Sequence, residues 1–280
     1  MDTATEKEGK GMSLAELRRR ARQVLSGRTR TTSHRLTLTL AIVLVMTAGM
    51  ALYAAVSGLY MAMDILWSEV IWLEAVADGL FVLLLLALVL PLAASVWRLA
   101  CLMTAPDGEV VDGMPVSVPS ATLDELFYPF TSLRAYGRTM AVALEGAAWT
   151  LLIVGFSALG SLILPVYVIP LTPATETVQG LLSAVGVLVL SGAALGIFFL
   201  SGRRAGFGYF VFVHEDMTIR DVNRYFGGFH RSAKTAFCLR MSLAGWYALS
   251  VAAILMPFVF HTIPYTLCCT AAYSRHLTRR

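Results

Sequence analysis

Charged residues are scarce in this sequence. Lys, Arg, Asp and Glu make up 14% of the 280 residues, whereas soluble domains usually have about 25%. Hydrophobic residues make up 57%, and the mean hydropathy is +0.70. A soluble domain could not bury so much apolar surface, so the composition excludes an ordinary soluble protein and indicates that a bilayer solvates the excess.

Catalytic and cofactor motifs are lacking as well. No Gly-x-Ser-x-Gly and no Gly-Lys-Ser/Thr phosphate loop occurs, and His214-Glu215 lacks the second histidine of a zinc-protease helix because position 218 is Thr. The cysteines form no Cys-x-x-Cys pair, so we expect reduced, buried thiols. They are Cys101, Cys238, Cys268 and Cys269. We therefore predict a protein that is not an enzyme, with no cofactor and no metal.

Long uncharged or nearly uncharged runs predict membrane-spanning helices. Residues 36–63 carry no charge, and about 20 apolar residues are enough to cross a 30 Å hydrocarbon core. Three further runs of this kind are 71–96, 139–163 and 178–200. The run 241–273 is too long for one span, and we predict that it turns near Pro257 to form short spans five and six. The sequence thus predicts an all-α, polytopic transmembrane bundle of about six spans.

The cations are confined to four segments. Nine of the 22 Lys and Arg precede residue 36, three are Arg98, Arg134 and Arg138, seven lie in residues 203–240, and three are in the tail. The predicted outer turns carry only acids, such as Asp64, Glu69 and Glu176. This distribution predicts cytoplasmic N- and C-termini in a plasma membrane, and six spans place the tail arginines inside, whereas five do not. The distribution of Lys and Arg is typical of membrane topology and not of a basic stripe that binds nucleic acid.

Three regions follow from these patterns: a basic cytoplasmic arm at 1–35, a transmembrane domain at 36–276 and a basic tail at 277–280. Ser13 and Glu16 have capping-box spacing for a short helix in the arm. The polar start of the chain predicts no cleaved signal peptide. We interpret the arm as mobile and able to bind anionic lipid, with a solvated tail of no further role as the alternative.

Two amphipathic segments are predicted to lie along the membrane surface. The first begins at Thr122 and Glu125 and is interrupted by Pro129, because proline removes a backbone donor. The second begins at Thr218 and Asp221. Both are followed by basic residues and an apolar hairpin.

Three carboxylates are candidate intramembrane polar groups. Glu74 and Asp78 lie four residues apart, on one helical face near the outer end of span two, where they could hold a cation or a proton or simply be solvated. Glu145 lies about two turns inside span three, where an unpaired carboxylate is costly. We expect Glu145 to be protonated or to pair with Arg98 or Arg240.

The carboxy-terminal third carries the most distinctive pattern. Ser242, Gly245 and Trp246 open an apolar run that continues to Pro264-Tyr265 and ends in Tyr273. This pattern resembles the uncharacterised bacterial integral-membrane family called domain of unknown function 975, whose members have Ser-Phe-Ile-Gly-Trp, a Pro-Tyr about twenty residues later and a terminal aromatic. The resemblance covers roughly residues 120–276. It implies a bacterial inner membrane protein and brings no activity with it.

Two functions fit these observations. The first is a non-enzymatic scaffold or regulator whose basic cytoplasmic face binds anionic lipid or a partner complex. The alternative is a small transporter or permease subunit that uses Glu145 with Glu74 and Asp78. A water-accessible cavity bordered by Glu145 favours transport, whereas an ion-paired Glu145 in a packed bundle favours the scaffold. Small residues such as Gly160 and Gly192 permit close packing within the chain or in a homo-oligomer.

Overall fold

The computed structural model describes residues 13–29, 32–66, 71–105, 109–111, 114–116, 121–161, 163, 175–204, 206–226, 233–252 and 258–278. The described chain is built mainly of α-helices, which confirms the predicted all-α class. The helices are α1 (Leu14–Ser26), α2 (His34–Leu66), α3 (Ile71–Leu84), α4 (Leu90–Thr104), α5 (Leu133–Ala158), α6 (Glu176–Ser201), α7 (Phe207–Val213), α8 (Ile219–Phe226), α9 (Ala233–Ala252) and α10 (Ile263–Thr278).

Shorter elements connect these helices. Two small antiparallel pairs are β1 (Arg28–Thr29) with β2 (Thr32–Ser33), and β3 (Glu109–Val111) with β4 (Met114–Val116). Turns of 3-10 helix are Leu123–Phe130 and Gly202–Arg204, and turns of π-helix are Leu85–Val89 and Phe258–Thr262. The π-turn Leu85–Val89 joins α3 to α4, so that the two form one long helix.

Four described helices are long and apolar enough to cross a membrane, as in a membrane protein. They are His34–Ala62, Ala75–Thr104, Leu133–Ser161 and Glu176–Ser201, with 26 to 30 residues each. Large apolar side chains on them are exposed, and Leu151 and Leu188 reach 72% and 73%. Exposed apolar surface of this extent is rare on soluble monomers and is expected where lipid covers it.

The first two of these helices form an antiparallel hairpin. The Tyr60 hydroxyl donates a hydrogen bond to the Asp78 carboxylate near the turn. Further along, Gly49 of α2 faces Val89. The beginning of α2 and the end of α4 therefore lie side by side, and their side chains enter the same buried cluster.

The other two long helices, α5 and α6, also form an antiparallel hairpin. Gly160 packs so closely that an added Cβ would lie 2.8 Å from the Cβ of Leu190, whereas Gly192 faces open space. At the far end of the pair, Glu145 meets Arg204 just after α6. The predicted close packing is therefore confirmed at Gly160 and not at Gly192, because only the first faces the neighbouring helix.

The N-terminal helix α1 is docked on the protein. The Ser13 hydroxyl caps it by accepting a hydrogen bond from the Glu16 amide at 3.2 Å, as the capping-box spacing predicts. Leu17 and Ala21 are fully buried in the cluster that contains Cys268 and Cys269 of α10. The prediction of a mobile arm is wrong for residues 14–26, because their apolar edge packs into the core.

The last helix, α10, lies across one end of the α2–α4 hairpin. At its start, the Nδ1 of His261 is 2.9 Å from a guanidinium nitrogen of Arg35, at the beginning of α2. At its end, Arg275 donates to the carbonyl oxygen of Thr104, the last residue of α4, at 3.0 Å. Both ends of α10 thus meet the same end of the hairpin.

The described residues contain four candidate spans, and the predicted short spans five and six are not among them. The reason is that α10 packs beside α1 and the ends of α2 and α4, instead of following the hairpin along its length. The predicted turn near Pro257 lies outside the described residues. The thiols are free, as predicted, but Cys238 is exposed and only Cys101, Cys268 and Cys269 are buried.

Both predicted amphipathic segments are helical. In the first, the 3-10 helix Leu123–Phe130, Leu126 and Pro129 are buried, and the Thr122 side chain makes no capping hydrogen bond. The Glu125 carboxylate accepts a hydrogen bond from Arg98. In the second, α8, the Thr218 hydroxyl accepts a hydrogen bond from the Asp221 amide at 3.3 Å, as predicted.

Candidate functional site

Arg98 is the most buried large side chain with a charge, at 1% exposure. Its Nε donates to Glu125 at 2.9 Å, one Nη lies 2.8 Å from Glu215, and the other donates to the Phe212 carbonyl at 3.1 Å. Its guanidinium also stacks 3.6 Å above the centre of the Tyr128 ring. Arg98 therefore joins α4, the Leu123–Phe130 helix and the end of α7.

Burial raises the pKa of the Tyr128 phenol above its ordinary value, and the negative charge of Glu215 raises it further. The ring therefore stays neutral at physiological pH, which suits its contact with the Arg98 cation. These contacts satisfy each terminal nitrogen of the guanidinium. Arg98 is therefore a structural anchor between these elements.

Arg138 holds the turn between α7 and α8. It is 4% exposed and donates to backbone carbonyl groups at the end of α7 and in the following turn. These carbonyls belong to Val211, His214, Glu215 and Met217. Arg134 adds a hydrogen bond to the Glu215 carbonyl at 3.0 Å. The last carbonyls of a helix lack intrahelical partners, so arginine donors stabilise this helix end.

The segment His214-Glu215-Asp216 is therefore part of an arginine-held turn. Within the described residues, no three His, Cys, Asp or Glu side chains come together as metal ligands. The segment forms a polar turn between α7 and α8.

A cavity of about 1,120 Å³ lies between α4, α5 and the C-terminal helices. Leucine, isoleucine, alanine and aromatic side chains form most of its wall. The polar residues on its wall are Glu145, Trp149, Thr150, Ser201, Arg204, Arg240, Thr266 and Thr270. Small-molecule sites in proteins usually enclose about 300–1,000 Å³ with few polar groups, so this cavity has the size and the composition of a binding site for a large apolar ligand.

Glu145 is ion-paired on the wall of this cavity. Its carboxylate lies 2.5 Å from the Nε of Arg204 and accepts a hydrogen bond from the Trp149 side chain. The prediction of Arg98 or Arg240 as its partner is wrong. Arg98 is occupied by other partners, and the antiparallel pairing of α5 with α6 brings residue 204 opposite residue 145.

Arg240 is the second cation of the cavity. Its Nη1 donates to the Phe198 carbonyl at 3.3 Å and to the Ser201 hydroxyl, and its guanidinium lies 5.2 Å from the Phe198 ring centre. These partners are neutral. Among the residues that the structure describes, no carboxylate forms an ion pair with Arg240.

Asp78 is not brought to Glu145. Its carboxylate is bound by the Tyr60 hydroxyl near the turn of the first hairpin, whereas Glu145 pairs with Arg204 just after α6. The Glu74 side chain lies outside the described residues.

The family-motif residues occupy helices that border the cavity. The Ser242 hydroxyl donates back to the Leu239 carbonyl at 2.7 Å, a contact within α9. Pro264 and Tyr265 lie in the first turn of α10, and Tyr265 is buried with its ring stacked on His261. Gly245 and Trp246 belong to α9, and the Trp246 side chain lies outside the described residues.

Comparisons with protein-family models, curated proteins and solved structures find no match to this chain. The resemblance to domain of unknown function 975 stays a prediction.

Sequence reasoning missed the anchoring roles of Arg98, Arg138 and Arg204. One signal was present: Arg98 follows directly on an apolar run, between Trp97 and Leu99. A cation in such a context is rarely buried without partners. The partners of Arg98 could not be predicted from the sequence, because Glu125 and Glu215 lie 27 and 117 residues away.

Proposed function

We propose that this chain is a non-enzymatic protein of the bacterial plasma membrane that scaffolds or regulates by binding anionic lipid on a basic cytoplasmic face. The proposal includes four membrane spans, with the N- and C-termini on the cytoplasmic side. The observation that carries it is the docking of α1, which turns a basic segment into a fixed surface beside the first span.

The arginines of α1 are placed where lipid headgroups would be. The helix buries Leu17, and Arg19 and Arg22 are exposed. Its C-terminal cap, Gly27, accepts a hydrogen bond through its carbonyl from the amide of His34, the first residue of the first candidate span. A basic residue near an anionic membrane surface contributes about 1 kcal/mol of attraction.

The transporter alternative has weaker support. Glu145 does border a cavity, but it is paired with Arg204, and the walls around it are mostly apolar. Asp78 lies in another part of the fold. The cavity is better suited to an apolar chain than to a hydrated ion.

The lipid proposal predicts that Arg19→Gln combined with Arg22→Gln weakens the response to anionic lipid. We expect phosphatidylglycerol to raise the thermal unfolding midpoint of the detergent-solubilised protein more than phosphatidylcholine does, and the double variant to lose most of that difference. Added salt should reduce the effect in the unchanged protein, because exposed charges are screened.

The matched control removes two exposed cations from α8, Arg220→Gln with Arg224→Gln. An equal loss in both double variants would show that net charge, and not the docked α1, carries the response. An unchanged response in the α1 variant would contradict the proposal.

The four-span topology predicts which side of the membrane position 257 faces. His261 contacts Arg35 at the start of α2, and four residues of chain span at most about 14 Å. In a background with all four cysteines replaced by Ala, Pro257→Cys should therefore react with an impermeant thiol reagent only in inverted vesicles. A cysteine at position 19 is the cytoplasmic control. Reaction of position 257 in intact cells would support six spans.

A further inference from the structure

The cavity has a polar end and apolar walls. Ser201 is hydrogen-bonded to Arg240, and Arg204, one turn later, is paired with Glu145. These groups lie together where α6 ends. The apolar walls include Leu85, Leu86 and Leu90 from the long α3–α4 helix and Leu151 and Ile153 from α5. Such a shape fits a molecule with a polar head and long hydrocarbon chains.

The polar end carries a net positive charge. Two arginines and one carboxylate face the cavity there, and the carboxylate is used by Arg204. Arg240 makes its hydrogen bonds through Nη1 to neutral acceptors that belong to the end of α6. A half-buried guanidinium without a counter-charge is costly, and a phosphate oxygen is a partner that arginine binds well.

We infer that this cavity, which is open on the side of the exposed Leu151, is a site for an anionic phospholipid, with the headgroup phosphate on Arg240 and the acyl chains against the walls from α4 and α5. The inference rests on the proposed function, because it gives anionic-lipid binding a specific place in the fold. The volume of about 1,120 Å³ exceeds the usual upper bound of roughly 1,000 Å³ for small-molecule sites, which favours a two-chain lipid over a single-chain fatty acid.

The test measures lipid retained by the full-length protein. Delipidated protein in detergent is incubated with phosphatidylglycerol, with phosphatidylcholine of the same chains or with oleate, and bound lipid is counted by native mass spectrometry. We expect about one phosphatidylglycerol per chain, preferred about tenfold over phosphatidylcholine. Both lipids carry the phosphate that Arg240 would bind, but the choline group of phosphatidylcholine adds a cation at an end of the cavity that already has a net positive charge.

Arg240→Gln removes the charge and should reduce phosphatidylglycerol binding by about tenfold or more. Lys234→Gln is its control, because Lys234 is an exposed cation earlier on the same helix and does not border the cavity. The control should bind as the unchanged protein does.

Gly146→Leu tests the acyl-chain part independently of the charge. Gly146 borders the cavity, and an added Cβ meets nothing within 4 Å, so leucine can enter the cavity without a clash at its Cβ. We expect this variant to fold and to lose phospholipid binding. Gly155→Leu is the matched control, on the same helix with equally open space but away from the cavity.

Three results would overturn the inference. They are equal binding of phosphatidylcholine, preferential binding of oleate, and unchanged phosphatidylglycerol binding in Gly146→Leu. If the α1 double variant loses its lipid response while the cavity variants still bind phosphatidylglycerol, the proposal for α1 stands and the proposed cavity site is wrong. If only the cavity variants lose binding, the cavity site stands and the role proposed for α1 is wrong.

Discussion

Arg98→Met is expected to lower the free energy of unfolding by about 3–4 kcal/mol. Each of its two charge-assisted hydrogen bonds contributes about 1.5–3 kcal/mol, and hydration of the partly exposed Glu125 and Glu215 offsets some of the loss. The change leaves Glu125 and Glu215 without their cation and the Phe212 carbonyl without its donor. It also removes the ion pair between α4 and the Leu123–Phe130 helix. The measurement is thermal unfolding in detergent with a thiol-reactive fluorophore, which reports exposure of the buried Cys101, Cys268 and Cys269.

The background for this measurement is Cys238→Ala, because Cys238 is exposed and would react before unfolding. The free energy of unfolding of Arg98→Lys should lie between those of Arg98→Met and the unchanged protein. A lysine keeps the charge but cannot direct donors to three partners at once. Arg220→Met, at an exposed position, should change stability by no more than about 0.5 kcal/mol. Equal effects of Arg98→Met and Arg220→Met would disprove the anchoring role.

Arg138→Met has the second largest expected effect, a loss of about 3 kcal/mol or more. Each buried carbonyl that loses its donor costs about 1–3 kcal/mol, and Arg138 serves four of them around the α7–α8 turn. Backbone rearrangement and water can compensate for some of these losses. The same fluorophore assay measures the effect.

Arg134→Met is the matched control, because Arg134 lies one turn earlier on α5, is exposed and makes a single bond to the same turn. Its replacement should cost no more than about 1.5 kcal/mol, the upper range for one hydrogen bond. Hydrogen exchange of the α7 amides should rise in Arg138→Met and not in Arg134→Met. A uniform rise over the whole chain would argue against a local cap.

The docking of α1 was not predictable because its partner is remote. Within the segment, Leu17 contributes to only a thin apolar edge, which suits a tail lying loosely in water. Its contact is with α10, and Leu17 shares a buried cluster with Cys268. Sequence periodicity reports which face of a helix is apolar, but not which distant helix covers it.

The surroundings of the C-terminal helices were not predictable for a related reason. The charge rule assigns the tail arginines to the cytoplasmic side, and either a crossing hairpin or helices packed on that side satisfies it. Apolar residues in α10, such as Ala271, are buried by protein instead of lipid. When a segment is shorter than a full span, its hydropathy does not show whether protein or lipid covers it.

The sequence by itself determined the all-α class, the membrane as surroundings and the four long helices. A long apolar run that crosses a bilayer forms a helix, because its backbone groups need internal hydrogen bonds where no water is available. Only the tertiary structure decided which charges meet. Glu145 pairs with Arg204, and Arg240 is left facing a cavity with neutral partners among the described residues. Such pairings depend on how helices that are far apart in sequence pack against each other. Neither the composition nor the spacing of residues determines this packing.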